Sequence, residues 1–104
     1  MKLHATFPIS TVYMHALVKL ANQCAKEGVE IEKFGTLNNG FYVTFKDITG
    51  DAVIHDFSYG HENGLFESFK MPWDHDDVSV HTPEELGMLL GALKRNEDWK
   101  HLDV

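Results

Sequence analysis

"VEIEKFGTLNNGFYVTFKDI", residues 29–48, carries the strongest evidence for a sheet in this chain. It opens with Val29 and Ile31 alternating against Glu30 and Glu32, the period-two pattern of a strand with one buried face. Asn39-Gly40 then signals a hairpin, because the two-residue turn that suits strand twist needs positive φ at both positions. After it, Phe41, Val43 and Phe45 share one face, and Tyr42 and Thr44 share the other. Two strands joined by a tight turn imply an antiparallel sheet.

The same logic extends outward. "TGD", residues 49–51, reads as the next turn, and "AVIHDFSY", residues 52–59, as a third strand with Val53, His55, Phe57 and Tyr59 facing one way. "GHENG", residues 60–64, turns the chain into "LFESFKM", the fourth strand. Upstream, Tyr13, Ala16, Leu17, Leu20, Ala21 and Cys24 fall on one stripe of a helix over 11–27, with Ser10 or Thr11 as its cap and Gly28 as its end. Downstream, Leu86, Leu89, Leu90 and Leu93 form a second helical stripe. Thr82, Pro83 and Glu85 make a capping box with proline at the first helical position, and Glu84 and Glu85 suit the positive end of the dipole. Gly87 and Gly91 share one face of that helix and predict close packing onto the sheet, or a dimer contact. The expected architecture is α+β: a single domain over 1–104, built as a four-stranded antiparallel meander between an N-terminal and a C-terminal helix, α-β-β-β-β-α. The tail from about residue 96 reads as frayed, with Trp99 folded back as a plug.

Composition narrows the function classes. The 104 residues carry 43% apolar and 24% charged side chains, ordinary for one globular domain. No apolar run has the ~20 residues of a membrane span, and the N-terminus lacks the pattern of a signal peptide. Cys24 stands alone, which excludes an intramolecular disulfide and a multi-cysteine zinc site. The expected compartment is the cytoplasm. The net charge is −7, the Lys and Arg residues are scattered, and none lies between Met71 and Leu93. Direct nucleic-acid binding is therefore disfavoured, since phosphate recognition rests on a basic patch. A basic protein partner or a divalent cation fits the charge better. No G-x-S-x-G, P-loop or G-x-G-x-x-G is present, so no catalytic residue and no cofactor is assigned.

"MPWDHDDVSVHTPEELGMLL", residues 71–90, concentrates the candidate chemistry. Counted from Asp74 it fails as a calcium loop, because Val78 and Ser79 fall at the fifth and sixth positions. A metal site would draw on His55, His61, His75, Asp77 and His81, in the two-histidine, one-carboxylate pattern. A protein-binding surface would draw on Tyr59, Glu62, Phe66, Trp73, Asp74, Asp76 and Asp77, acidic groups edged by aromatics. In an inhibitor, Asp74, Asp76 and Asp77 would imitate phosphates.

"SYGHENGLFESF", residues 58–69, together with the valine-rich segment and "TPEE" downstream of it, resembles small uncharacterised proteins of phages and prophages of Gram-positive bacteria. The residues that carry the resemblance are Tyr59, Gly60, Glu62, Gly64, Leu65, Phe66 and Glu67, then Val78, Val80, Thr82, Glu84 and Glu85. It covers the C-terminal half and brings no activity. It implies an accessory protein of a mobile element. The leading expectation is a small acidic non-enzymatic protein that binds a protein partner. The alternatives are a metal-binding protein or metal-dependent enzyme, and a self-associating subunit, with a homodimer as its simplest form.

Overall fold

The computed structural model describes residues 10–74 and 77–97. Helix α1 (Thr11–Glu27) leads into β1 (Ile31–Leu37), β2 (Gly40–Phe45), β3 (Ile48–Ile54), β4 (Phe66–Phe69) and β5 (Val78–His81), and helix α2 (Pro83–Lys94) closes the series. The strands form one antiparallel sheet in the order of the sequence, β1-β2-β3-β4-β5. The expected α+β class and meander hold, but the sheet has five strands where four were expected.

The fifth strand lies inside the acidic stretch. Its four residues alternate in the reverse sense: Val78 and Val80 face away from the helices, while Ser79 and His81 face the core side. A hydrophobic pattern does not register a strand that turns polar residues inward. Two turns also move. Asn38 and Asn39, at φ 47 and 63, form the β1–β2 turn, one residue before Asn39-Gly40. Gly40 is the first residue of β2, where an added methyl group would lie 2.6 Å from His55 Cα. The next turn is Lys46-Asp47 and not "TGD". Thr49 and Gly50 are instead the extra residues of a bulge, because Thr44 pairs with Asp51 while Phe45 pairs with Ile48. β3 stops at Ile54 with Ala52 and Ile54 on its buried face, so Val53 faces the other way, and His55 lies beyond the strand and is itself buried.

All the inward side chains meet one core. Tyr13, Ala16, Leu20 and Cys24 of α1 pack with Phe41, Val43, Phe45, Ile54, Phe66, Leu86 and Leu90. Met71 and Trp73, from the loop between β4 and β5, complete it. Both helices and this loop therefore lie on one face of the sheet. The helices run in the same direction, because Gln23 meets Gly87 and Glu27 meets Gly91. The two glycines seat α2 against α1 and not against the sheet. At the shared C-terminal end, Lys94 donates to the Gly28 carbonyl at 2.6 Å and Arg95 to the Glu27 carbonyl at 3.1 Å. Cations placed there offset two parallel helix dipoles. The capping box forms as expected: Glu85 N–H donates to Thr82 Oγ1 and Thr82 N–H to Glu85 Oε1.

Candidate functional site

Three regions gather polar side chains. The first lies under β4 and β5. The turn 71–74 folds back beneath the sheet and buries Asp74 to 4% exposure. No cation pairs with it among the described residues. Ser68 Oγ and Met71 N–H donate to Asp74 Oδ2 at 3.0 and 3.1 Å, and Ser79 Oγ donates to Oδ1. Trp73 Nε1 donates to Ser68 Oγ at 3.2 Å, and its ring meets His81 edge-on. Since the Ser79 proton goes to Asp74, its oxygen accepts from His81 Nε2–H at 2.6 Å. Burial pushes the His81 pKa down, against the pull of Asp74 and Glu85, so the neutral imidazole is favoured. Serine, histidine and aspartate are all present, yet the serine stands between the other two. An acyl-transfer site needs histidine in the middle to take the serine proton. The arrangement ties the 71–74 turn to β4 and β5 and does not activate a nucleophile.

The second region is at the opposite end of the sheet, where the β1–β2 turn, the start of α1 and the 55–63 segment meet. Tyr13 donates to Asp56 Oδ1 at 2.8 Å, and Asn39 donates to Asp56 Oδ2 at 2.9 Å. These hydrogen bonds hold the Asp56 carboxyl below its usual range. The Tyr13 hydroxyl is pushed up to about 12, by burial first and by Asp56 and Glu62 next. Its oxygen accepts from His61 Nδ1 at 2.6 Å, which leaves Nε2 facing Glu62 at 3.9 Å. His55 is pinned separately. Its Nδ1 accepts from Phe57 N–H at 3.1 Å, and its own N–H donates to Ser58 Oγ at 3.0 Å. Burial lowers the His55 pKa, opposed by Glu67 and Asp56. This tight turn throws Phe57 and Tyr59 outward, at 78% and 68% exposure.

The third region is the sheet face that carries no helix among the described residues. Register aligns Gly35, Tyr42, Val53, Glu67 and Val80 in one row across all five strands. Thr44, Asp51, Phe69 and Val78 lie in the neighbouring row, with Lys33 at its β1 end. The Tyr42 ring lies across Gly35, where an added methyl group would sit 2.6 Å from its edge. Tyr59 N–H donates to Glu67 Oε1 at 2.8 Å, which fastens the exposed aromatic turn to this face. Asp51 is half-buried here, and burial raises its carboxyl pKa despite Lys70.

The sequence-derived candidates divide between these regions. Tyr59, Glu62 and Asp77 are at the surface. Phe66 is fully buried in the core and Asp74 is consumed by its own network, so neither belongs to a docking surface as expected from sequence. Trp73 is partly buried and packed on the core. Asp76 and His75 lie outside the described residues, as does Trp99. His55 and His61 share the turn region, whereas His81 faces Asp74 under the sheet and Asp77 caps the far end of β5. Among the described residues no three His, Cys, Asp or Glu side chains are grouped to hold a metal ion. The reading from sequence missed the helix-free face and Phe57 as an exposed aromatic. Register is the missing information, since it alone puts Tyr42, Val53, Phe69 and Val80 side by side.

Two open grooves complete the surface. One of about 590 Å³ lies between the β2–β3 turn, Pro72 and the end of α2, lined by Lys46, Lys70 and Lys94. Lys94 is engaged with Gly28 and Lys46 faces Glu30 at 4.0 Å, so these cations have local partners. The other, of about 300 Å³, lies beside the N-terminal turns of both helices. No family model, no curated protein and no solved structure matches the chain.

Proposed function

We propose that this protein is a non-enzymatic binding module whose partner is a basic protein. The observation that carries the reading is the helix-free sheet face: Val53, Val78, Val80, Phe69 and Tyr42 are presented together, and Phe57 and Tyr59 stand exposed at its edge. Aromatic anchors beside valines, with Glu67 and Asp51 set among them, offer both the contact area and the charge of a protein interface. The acidic groups on and beside the face are Asp51, Glu62, Glu67 and Asp77, against Lys33 and Lys70, and the whole chain carries −7. A basic partner is drawn to this field, while a second copy is repelled by it. The resemblance of the C-terminal half to small phage and prophage proteins supports an accessory role on a mobile element. Phosphate imitation, where it contributes, falls to Asp77 with Asp76, since Asp74 is buried.

The experiment is selection of binders from a displayed random-peptide library, then amide-shift mapping of the selected peptides. Basic peptides that shift Tyr42, Val53, Tyr59 and Val80 are the expected result. Tyr59→Ala should weaken them by about 1–2 kcal/mol, the range of an interface anchor. Peptides that map to α1 or α2, or that show no preference for lysine and arginine, would refute the reading.

A further inference from the structure

The sheet has two outer strands, and they differ. β1 is blunted as a pairing template at its start: its ladder breaks at a bulge between Ile31 and Lys33, where Glu32 and Lys33 are exposed, and only beyond it do Phe34 and Leu37 stand exposed. Charges and a bulge on an outer strand are the usual protection against pairing with another chain. β5 has neither. Its four residues pair with β4 without a register break, and none is charged or proline. Among the described residues only β4 pairs with it, and every second residue of β5 turns its backbone N–H and C=O away from β4, with the Val78 N–H donating to Asp77 Oδ1 at 2.8 Å.

β5 is also held ready. Ser79 and His81 are tied through Asp74 to Ser68 and Met71, so this outer strand is ordered before any partner arrives. Pre-ordering removes part of the entropy lost on binding. Its outward residues, Val78 and Val80, end the two rows of the helix-free face, beside Phe69 and Glu67 respectively. The surroundings are acidic: Asp77 and Glu84 are exposed on either side of β5, Asp76 adjoins Asp77 in the sequence, and no lysine or arginine occurs between Met71 and Leu93.

From these observations, and resting on the binding-module reading above, we propose that the partner supplies an extended basic segment that adds to β5 as a sixth strand. Main-chain hydrogen bonds give such a complex its affinity, and alternate side chains give its specificity. Apolar residues of the segment rest beside Val78 and Val80, and basic residues face Asp77 and Glu67. The shortness of β5 limits the ladder, so contacts with Phe69 of β4 and Val53 of β3 supply the rest.

The test uses the full chain and a short synthetic peptide of alternating lysine and valine. A second peptide of the same composition is methylated on alternate backbone nitrogens, which removes donors without removing side chains. The expected result is slowed hydrogen exchange at Val78 to His81 with the first peptide, and binding weakened about tenfold or more by methylation. Asp77→Lys should weaken the first peptide further as salt is lowered. Equal binding of both peptides, with shifts confined to Tyr42, Val53 and Phe69, would overturn strand addition and leave face docking standing. No binding of either peptide at β5 would also overturn it, and the library selection then decides the wider reading separately.

Discussion

Gly87 of α2 lies against Gln23 of α1 so closely that a methyl group on it would sit 2.7 Å from Gln23 Cβ. Gly91 stands in the same relation to Glu27 Cβ, again at 2.7 Å. These contacts set the spacing of two parallel helices. Gly87→Ala and Gly91→Ala each gain about 1 kcal/mol in helix propensity, but crowding a packed contact costs about 1–3 kcal/mol. Each is expected to lower the melting temperature by several degrees, read by calorimetry. An unchanged or raised value would mean that the helices part freely.

Asp74 is the hub of the turn that completes the core. Asp74→Ala leaves Ser68, Ser79 and the Met71 N–H without their acceptor, and should cost about 3 kcal/mol or more. Asp74→Asn keeps one acceptor for Met71 and should cost less. Its amide would donate to Ser79, whose proton is then free for His81 Nε2 or for Ser68 Oγ at 3.0 Å. A nitrogen chemical-shift change showing His81 moved to the Nδ1–H tautomer is the signature. An unaltered tautomer would place the freed proton on Ser68, and a loss as large as that of Asp74→Ala would contradict the acceptor role of Asp74.

Two histidines set an acid limb in stability. His55 and His81 are both held below 6.5 by burial, so the unfolded chain takes up protons more readily than the folded one. Their contribution is fully present above pH 6.5 and is lost as pH falls from there toward their folded values. Asp56 adds a later loss on the same side, present above 3.8 and lost as pH falls through its lowered value. Asp51 works the other way, because burial raises its carboxyl. Urea denaturation at stepped pH should therefore show a decline below 6.5, and His81→Gln should flatten part of it. A slope unaffected by that change would remove His81 as the cause.

Protonation of His55 has a local readout. Its Nδ1 accepts from Phe57 N–H, and a proton at Nδ1 sets two donors against each other. Amide exchange at Phe57 should accelerate as His55 titrates, ahead of amides in β3. Constant protection of Phe57 across the titration would show that the turn holds without this hydrogen bond.

Cys24 is buried in the core, and burial together with Glu27 pushes its thiol up to about 11. The thiolate that reacts is therefore scarce as well as hidden. Iodoacetamide is expected to label it only as fast as the fold opens, with rates that rise in denaturant. Labelling in water at the rate of a free thiol would place Cys24 outside the core.

Elements whose signals are local were legible in the chain before it folded. The α1 stripe through Tyr13, Leu20 and Cys24, the alternation of Phe41, Val43 and Phe45, and the Thr82–Glu85 capping box each lie within a few residues of chain. Features that depend on distant partners became visible only in three dimensions. β5 is a strand because Asp74 accepts from the Ser79 hydroxyl, which in turn satisfies His81, a relation no periodicity encodes. Gly50 is a bulge and not a turn because β4 approaches it, with Phe69 O 2.8 Å from where its side chain would begin. The helix-free face exists because α1 and α2 pack on each other over the opposite side. Only the register of five strands then brings Tyr42, Val53, Glu67 and Val80 into one row. Local patterns report how a segment buries its own side chains, whereas a binding face is assembled from residues that meet only after the chain has folded.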